Sequence, residues 1–175
     1  MRQPWLRTGS SRERENWCLV PEKQLVGKGE ALQIEAMELI RQVAALPVRR
    51  NPDGSLSVLL VTSRQTRRWV IPKGWPWPDR EDHAAAAGEA HEEAGVLGVA
   101  YPESIGYYTY RKRKLAGVIA VRVYVYLLEV VEELVNWPEC DQRQRAWFTP
   151  TDAAAKVDEP ELGVLVRQAG SMIQL

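Results

Sequence analysis

Polar and apolar positions fall into distinct textures along the 175 residues, and each texture predicts a different kind of element. Residues 1 to about 28 mix Pro, Gly, Ser and charge without periodicity, which predicts an arm that is flexible or laid over the rest, with Trp5, Trp17 and Leu19 as points of docking. After Glu30 the run ALQIEAMELIRQ is rich in helix formers and leaves room for a short helix, before QVAALPV, whose close-set apolar residues suit a buried strand. The pattern therefore divides the chain into an arm over 1–38 and one folded domain over 39–175.

Within that domain, Asn-Pro-Asp-Gly at 51–54 separates two apolar runs, because Pro fixes φ and Gly admits positive φ. This predicts a hairpin joining 42–49 to 56–62. The stretch RRWVIP reads as a short strand that Pro72 ends, since its ring nitrogen donates nothing to a ladder. The segment DREDHAAAAGEAHEEAG reads as a helix, begun by Asp79 or Asp82, built on alanines and closed by Gly95. IGYYTYRKR, GVIAVRVYVYLLEVV and RAWF are dense in β-branched and aromatic residues and predict strands. TPTDAAAKV opens a helix with Thr149 or Thr151 as cap, and EPELGVLVRQAGSMIQL supplies an amphipathic last one. Strands, a central helix, strands and closing helices add up to a mixed α/β layer architecture.

Composition narrows the function classes. Hydrophobic residues make up 45% and charged residues 26%, the balance of a globular domain. Twenty-three basic residues match twenty-three acidic ones, so no whole-protein field holds nucleic acid or an anionic membrane, and neither is expected as a partner. Cys18 and Cys140 have no metal-knuckle spacing, which points to a reducing cytoplasm. The Arg-rich N-terminal stretch predicts no secretory signal, and no apolar run is long enough to predict a membrane span.

The chemistry concentrates on the alanine-rich helix. Glu89, Glu92 and Glu93 stand at i, i+3 and i+4, and a helix turning about 100° per residue puts all three within one arc. Carboxylates that close repel one another unless a cation neutralises them, so the cluster suits a hard divalent ion. Oxygen ligands select Mg²⁺, Mn²⁺ or Ca²⁺ over zinc, and Mg²⁺ binds through few carboxylates plus substrate phosphates, which predicts a phosphate compound as substrate. The plainer reading is that EAHEEA is a solvated helical face, as most acidic runs are.

The spacing Gly74-x₅-Arg80-x₇-Gly88-Glu89-Ala90-x-Glu92-Glu93-x-Gly95-Val96 resembles the Nudix box, G-x₅-E-x₇-R-E-U-x-E-E-x-G-U, with U aliphatic. Five of the seven fixed non-aliphatic positions match: Gly74, Glu89, Glu92, Glu93 and Gly95. TSRQTRRWVIPKG, EEAGVLG, NWPE and RQRAWF extend the likeness over about residues 40–167, toward the diphosphoinositol polyphosphate and diadenosine polyphosphate hydrolase branch.

The resemblance implies an α/β/α sandwich with a mixed sheet, and a hydrolase that cleaves a small-molecule phosphate anhydride with Mg²⁺, or Mn²⁺ in its place. It makes Glu92 and Glu93 metal ligands, Glu89 a ligand or the base for the attacking water, and Gly74 a carbonyl ligand. It makes Arg64, Arg68, Lys73 and the run Arg111, Lys112, Arg113 and Lys114 candidates for holding phosphates, with Arg143 and Arg145 weaker ones. Glu139, with Glu132 and Glu133, is a candidate distant base. A homodimer is left open.

Two box positions depart from the pattern: Arg80 stands for the first glutamate, with Glu81 one place later, and Gly88 stands for the arginine that orients the carboxylates. Glycine there also costs about 1 kcal/mol of helix propensity against alanine. The departures allow metal binding with reduced turnover, or Arg80 or another basic side chain in the orienting role, or a ligand-sensing module that kept the pocket. His83 and His91, without a third ligand, receive no role. Trp75 and Trp77 could rim a pocket or anchor a loop, and both readings stay open.

Overall fold

A computed structural model describes residues 19–23, 36–114 and 117–172. In chain order these form β1 (Leu19–Lys23), β2 (Ala36–Arg50), β3 (Leu56–Thr62), β4 (Trp69–Val70), β5 (Lys73–Gly74), α1 (Asp82–Glu89) with a π-helical turn (Ala90–Ala94), β6 (Val96–Lys114), β7 (Gly117–Glu133), β8 (Arg145–Phe148), α2 (Pro150–Lys156) and α3 (Pro160–Met172). The strands join in one mixed sheet of order β4-β3-β2-β7-β6, with β1 and β5 also paired to β2 and β8 paired to β3. The β2–β7 pair is parallel, from Leu39 opposite Ala120 to Val48 opposite Glu129, and the other pairs are antiparallel.

Both faces of the sheet are buried, which is why β2 reads as a near-continuous apolar run. Val43 and Ala45 face α1 together with Leu59, Val61, Val96 and Leu128, while Ile40, Ala44 and Leu46 face α2 and α3 together with Val58, Leu60, Val121, Val123 and Val125. The α/β/α sandwich is thus present. Ala85, Ala86, Ala90 and Ala94 have no exposed surface. Such small side chains let the helix backbone lie close on the sheet and hold the π-turn near the strand ends.

Several sequence expectations change. Residues 36–42 belong to β2 rather than to a helix, because β1 pairs with one side of this stretch and β7 with the other, and tertiary pairing overrides its helix propensity. Residues 31–35, where that helix would begin, lie outside the described residues. The helix expected through Ala94 ends its α-helical part at Glu89 and continues as the π-turn, a wider geometry common at functional sites. Neither Asp79 nor Asp82 caps it: Glu81 is the N-cap and makes no side-chain cap bond. Asp82 instead accepts from Arg41 and, at 3.1 Å, from the Tyr126 hydroxyl. Gly95 does close the turn in left-handed geometry, at φ 61°, and Thr149 caps α2 by accepting from the Asp152 amide.

Candidate active site

The π-turn, the β5 loop and the β7–β8 loop converge at one end of the sheet. Glu89 and Glu93 are each only 7% exposed, a rare state for carboxylates and one that needs partners. In Glu93, Oε2 accepts from the Lys73 amide at 3.2 Å and Oε1 pairs with the Arg143 guanidinium. Burial raises the Glu93 pKa, and the charges of Lys73 and Arg143 oppose that shift without cancelling it. Glu89 lies against Gly74, where a β-carbon would overlap its carboxyl group, so only glycine admits this approach. Glu92 is half-buried, and its carbonyl accepts from the Glu139 amide at 3.2 Å.

Arg143 ties the loops together. Its Nε donates to Glu139 at 2.5 Å and another nitrogen donates to the Thr62 carbonyl at 3.0 Å, while Arg64 reaches Glu139 at 3.1 Å. Arg145 works beside it: it donates to the carbonyls of Ala94 (2.7 Å), Gly95 (2.9 Å) and Leu134 (2.8 Å), and its guanidinium lies 4.2 Å from the Trp137 ring. Two of these carbonyls end the π-turn, so Arg145 supplies a C-terminal cap from a distant strand.

On the α2–α3 side lies a second polar group. Arg68 pairs with Asp158 (3.2 Å) and Glu159 (3.1 Å) at the entrance to α3. The Lys73 ammonium stands 6.0 Å from the Tyr110 ring centre, and the Tyr110 hydroxyl donates to Gln42 at 2.9 Å. Burial lowers the Lys73 pKa, against the favourable charge of Glu93, and raises that of Tyr110 to about 12. Lys73 therefore links the two groups, with its amide on Glu93 and its side chain toward Arg68 and Tyr110.

Of the sequence candidates, Gly74, Glu89, Glu93, Arg64, Arg68 and Lys73 thus gather around this end of the sheet, and Glu92 borders it. Arg111 is exposed, one residue from Tyr110 and so on the opposite face of β6. The Arg113 side chain lies outside the described part of the chain. Glu133 is held by Arg49 and Trp147 and lies 3.8 Å from Arg145. The weight of Arg143 and Arg145 was missed, because partners far away in the chain leave no periodic signal. RQRAWF, two arginines at alternate positions entering a strand, is the hint that existed.

Two buried carboxylates beside a glycine backbone form an oxygen donor set that fits a hard divalent cation. Among the described residues no three Asp, Glu, His or Cys side chains form a ready-made cage.

Comparison with known proteins gives the family of the chain. Nudix hydrolase 13, mitochondrial, of Arabidopsis thaliana is 36% identical over 110 residues, covering 58% of this chain and 53% of that protein. Diphosphoinositol polyphosphate phosphohydrolase 2 of Rattus norvegicus is 39% identical over 99 residues, covering 55% and 51%. The chain spans about half the length of these curated relatives. The crystal structure of C. elegans Ap4A hydrolase shares the fold, with a TM-score of 0.55 at 20% identity over 77% of this chain and 98% of that one. The family model described as NUDIX domain matches residues 40–168, most of the chain, and the chain belongs to that family.

Proposed function

We propose that the chain is a pyrophosphohydrolase that cleaves a diphosphate linkage in a nucleoside polyphosphate, dinucleoside polyphosphate or inositol pyrophosphate. The observation that carries the reading is the burial of Glu89 and Glu93 next to Gly74, within reach of Lys73 and Arg143. Carboxylates set beside a glycine backbone are oxygen donors of the kind hard divalent cations take. Names of relatives supply the substrate classes: diphosphoinositol polyphosphate and Ap4A appear among them.

Glu89, Glu92 and Glu93 would hold Mg²⁺, or Mn²⁺, with the Gly74 carbonyl. When bound, the ion lowers the pKa of water and neutralises charge gathering on the leaving phosphate. One carboxylate of the set takes the proton of the attacking water, a P–O bond forms, and the anhydride P–O bond breaks with its electrons on the leaving phosphate. Arg64, Arg68 and Lys73 would meet the remaining phosphates, Arg68 by exchanging Asp158 and Glu159 for substrate oxygens.

Phosphate release from a panel of diphosphate substrates with Mg²⁺ or Mn²⁺ tests the reading. Glu93→Gln is expected to lower turnover by roughly 10²–10⁴-fold, and turnover unchanged by that substitution would end it. Gly88 and Arg80 favour a second reading, a ligand-sensing module with the same pocket; tight binding of a diphosphate compound with no release in either metal selects it. We also assign the chain to a reducing cytoplasm, on the sparse cysteines. Fractionation against mitochondria, the compartment in the plant relative's name, tests that.

A further inference from the structure

The β5–α1 loop and the helix exchange side chains through two glycines. Gly74, the last residue of β5, receives the carboxyl of Glu89 from the helix. Gly88, in the helix, receives Trp77 from the loop: a β-carbon at 88 would stand 2.6 Å from Cη2 and 2.7 Å from Cζ2 of the indole, closer than carbon atoms approach. Residues 88 and 89 are neighbours and share a peptide plane. Trp77 is half-buried against the apolar cluster under α1, and the Arg80 guanidinium lies 4.7 Å from its ring centre.

This reciprocity has a mechanical consequence. The indole is rigid, with only two side-chain torsions, and it is gripped between the helix surface and Arg80. It therefore fixes the distance between loop and helix just where Glu89 leaves the backbone, and β5, which leads into the loop, sets Gly74 against the same carboxyl. The two altered box positions become one device: Gly88 opens the seat and Arg80 roofs its occupant.

We infer that Trp77, seated on Gly88, is a positioning residue that sets the Glu89 carboxylate against Gly74 and so shapes the cation site. The inference uses the proposed function only in taking Glu89 as a cation ligand. A side chain at 88, arginine included, displaces the indole and loosens that placement.

Calorimetric titration of the full chain with Mn²⁺ alone tests it, with circular dichroism to confirm folding. Trp77→Ala and Gly88→Ala are each expected to weaken Mn²⁺ binding about tenfold, the scale for a group that orients a ligand. Trp77→Phe, which keeps a ring in the seat, is expected to stay within about threefold, well short of that loss. The double variant G88A/W77A should bind no more weakly than W77A, because the seat is already vacated. Gly88→Ala also separates positioning from stability, since helix propensity alone predicts a more stable helix with alanine.

Folded W77A and G88A variants with wild-type Mn²⁺ affinity overturn the inference, as does a wild type that takes up no Mn²⁺. If W77A fails to fold, W77L and W77F decide: affinity unchanged in folded W77L overturns it, and affinity lost in W77L but kept in W77F upholds it. Should the wild type bind Mn²⁺ yet hydrolyse nothing, the proposed activity fails while the positioning role stands on the binding data.

Discussion

The two ends of the helix that carries Glu89 are held by different chemistry. At its start, Asp82 pairs with Arg41 and accepts from Tyr126, and both charged side chains keep a quarter to a third of their surface in water (24% for Asp82 and 31% for Arg41). Beyond its end, Glu93 pairs with Arg143 where almost no water reaches, at 10% and 5% exposure. The first contact anchors a helix that lacks a capping side chain. The second holds a charge in the interior, an arrangement that does little for net stability and is costly to break. A fold built for stability alone would fill the second place with apolar residues, so the contrast supports placing the proposed site at that end.

Breaking the buried end should have the largest effect. Arg143→Ala leaves Glu93 without its guanidinium and Glu139 with Arg64 alone, and denaturant unfolding is expected to show a loss of about 3–5 kcal/mol. A loss below that of Arg41→Ala would contradict the contrast. Next comes Arg145→Ala, which strips three carbonyls of a charged donor and should cost about 2 kcal/mol. Arg41→Ala is expected to cost about 1 kcal/mol or less, and high salt should shrink that cost while leaving the Arg143 effect almost intact. The smallest effect concerns alkali. Burial, then the charge of Asp82, raise the Tyr126 pKa to about 12, so its contribution to stability is complete below the ordinary tyrosine pKa and is lost as pH rises through about 12. Tyr126→Phe should flatten the decline in stability over that alkaline window, and an unchanged decline would remove Tyr126 from the account.

Chain-local features were legible in the sequence. Asn-Pro-Asp-Gly placed the β2–β3 turn, Gly95 closed the helical segment, and the i, i+3, i+4 glutamates with Gly74 marked the place where the loops meet, while the strand expected to run up to Pro72 stops at Val70. What escaped depends on contacts between remote segments. β1 exists because β2 offers it an edge, and the AMELIRQ stretch extends because β1 and β7 flank it. The start of β6 at Val96 was missed because Gly98, Pro102 and Glu103 interrupt its pattern, and register shifts against β7 absorb them. The π-turn and the indole seat on Gly88 arise from tertiary packing, and box spacing alone carries no trace of either.

The parallel pairing of β2 with β7 sets an order on folding. Leu39 meets Ala120 and Val48 meets Glu129, so the middle of the sheet brings together chain segments separated by all of β3 to β6. Closing so large a loop carries its entropic cost before the contacts repay it. On a ribosome the β2–β3 hairpin and the alanine helix are made early, yet the sheet has no centre until Glu129 has been added. Until then the apolar edge of β2 is open to chaperones or to misassociation with other nascent chains.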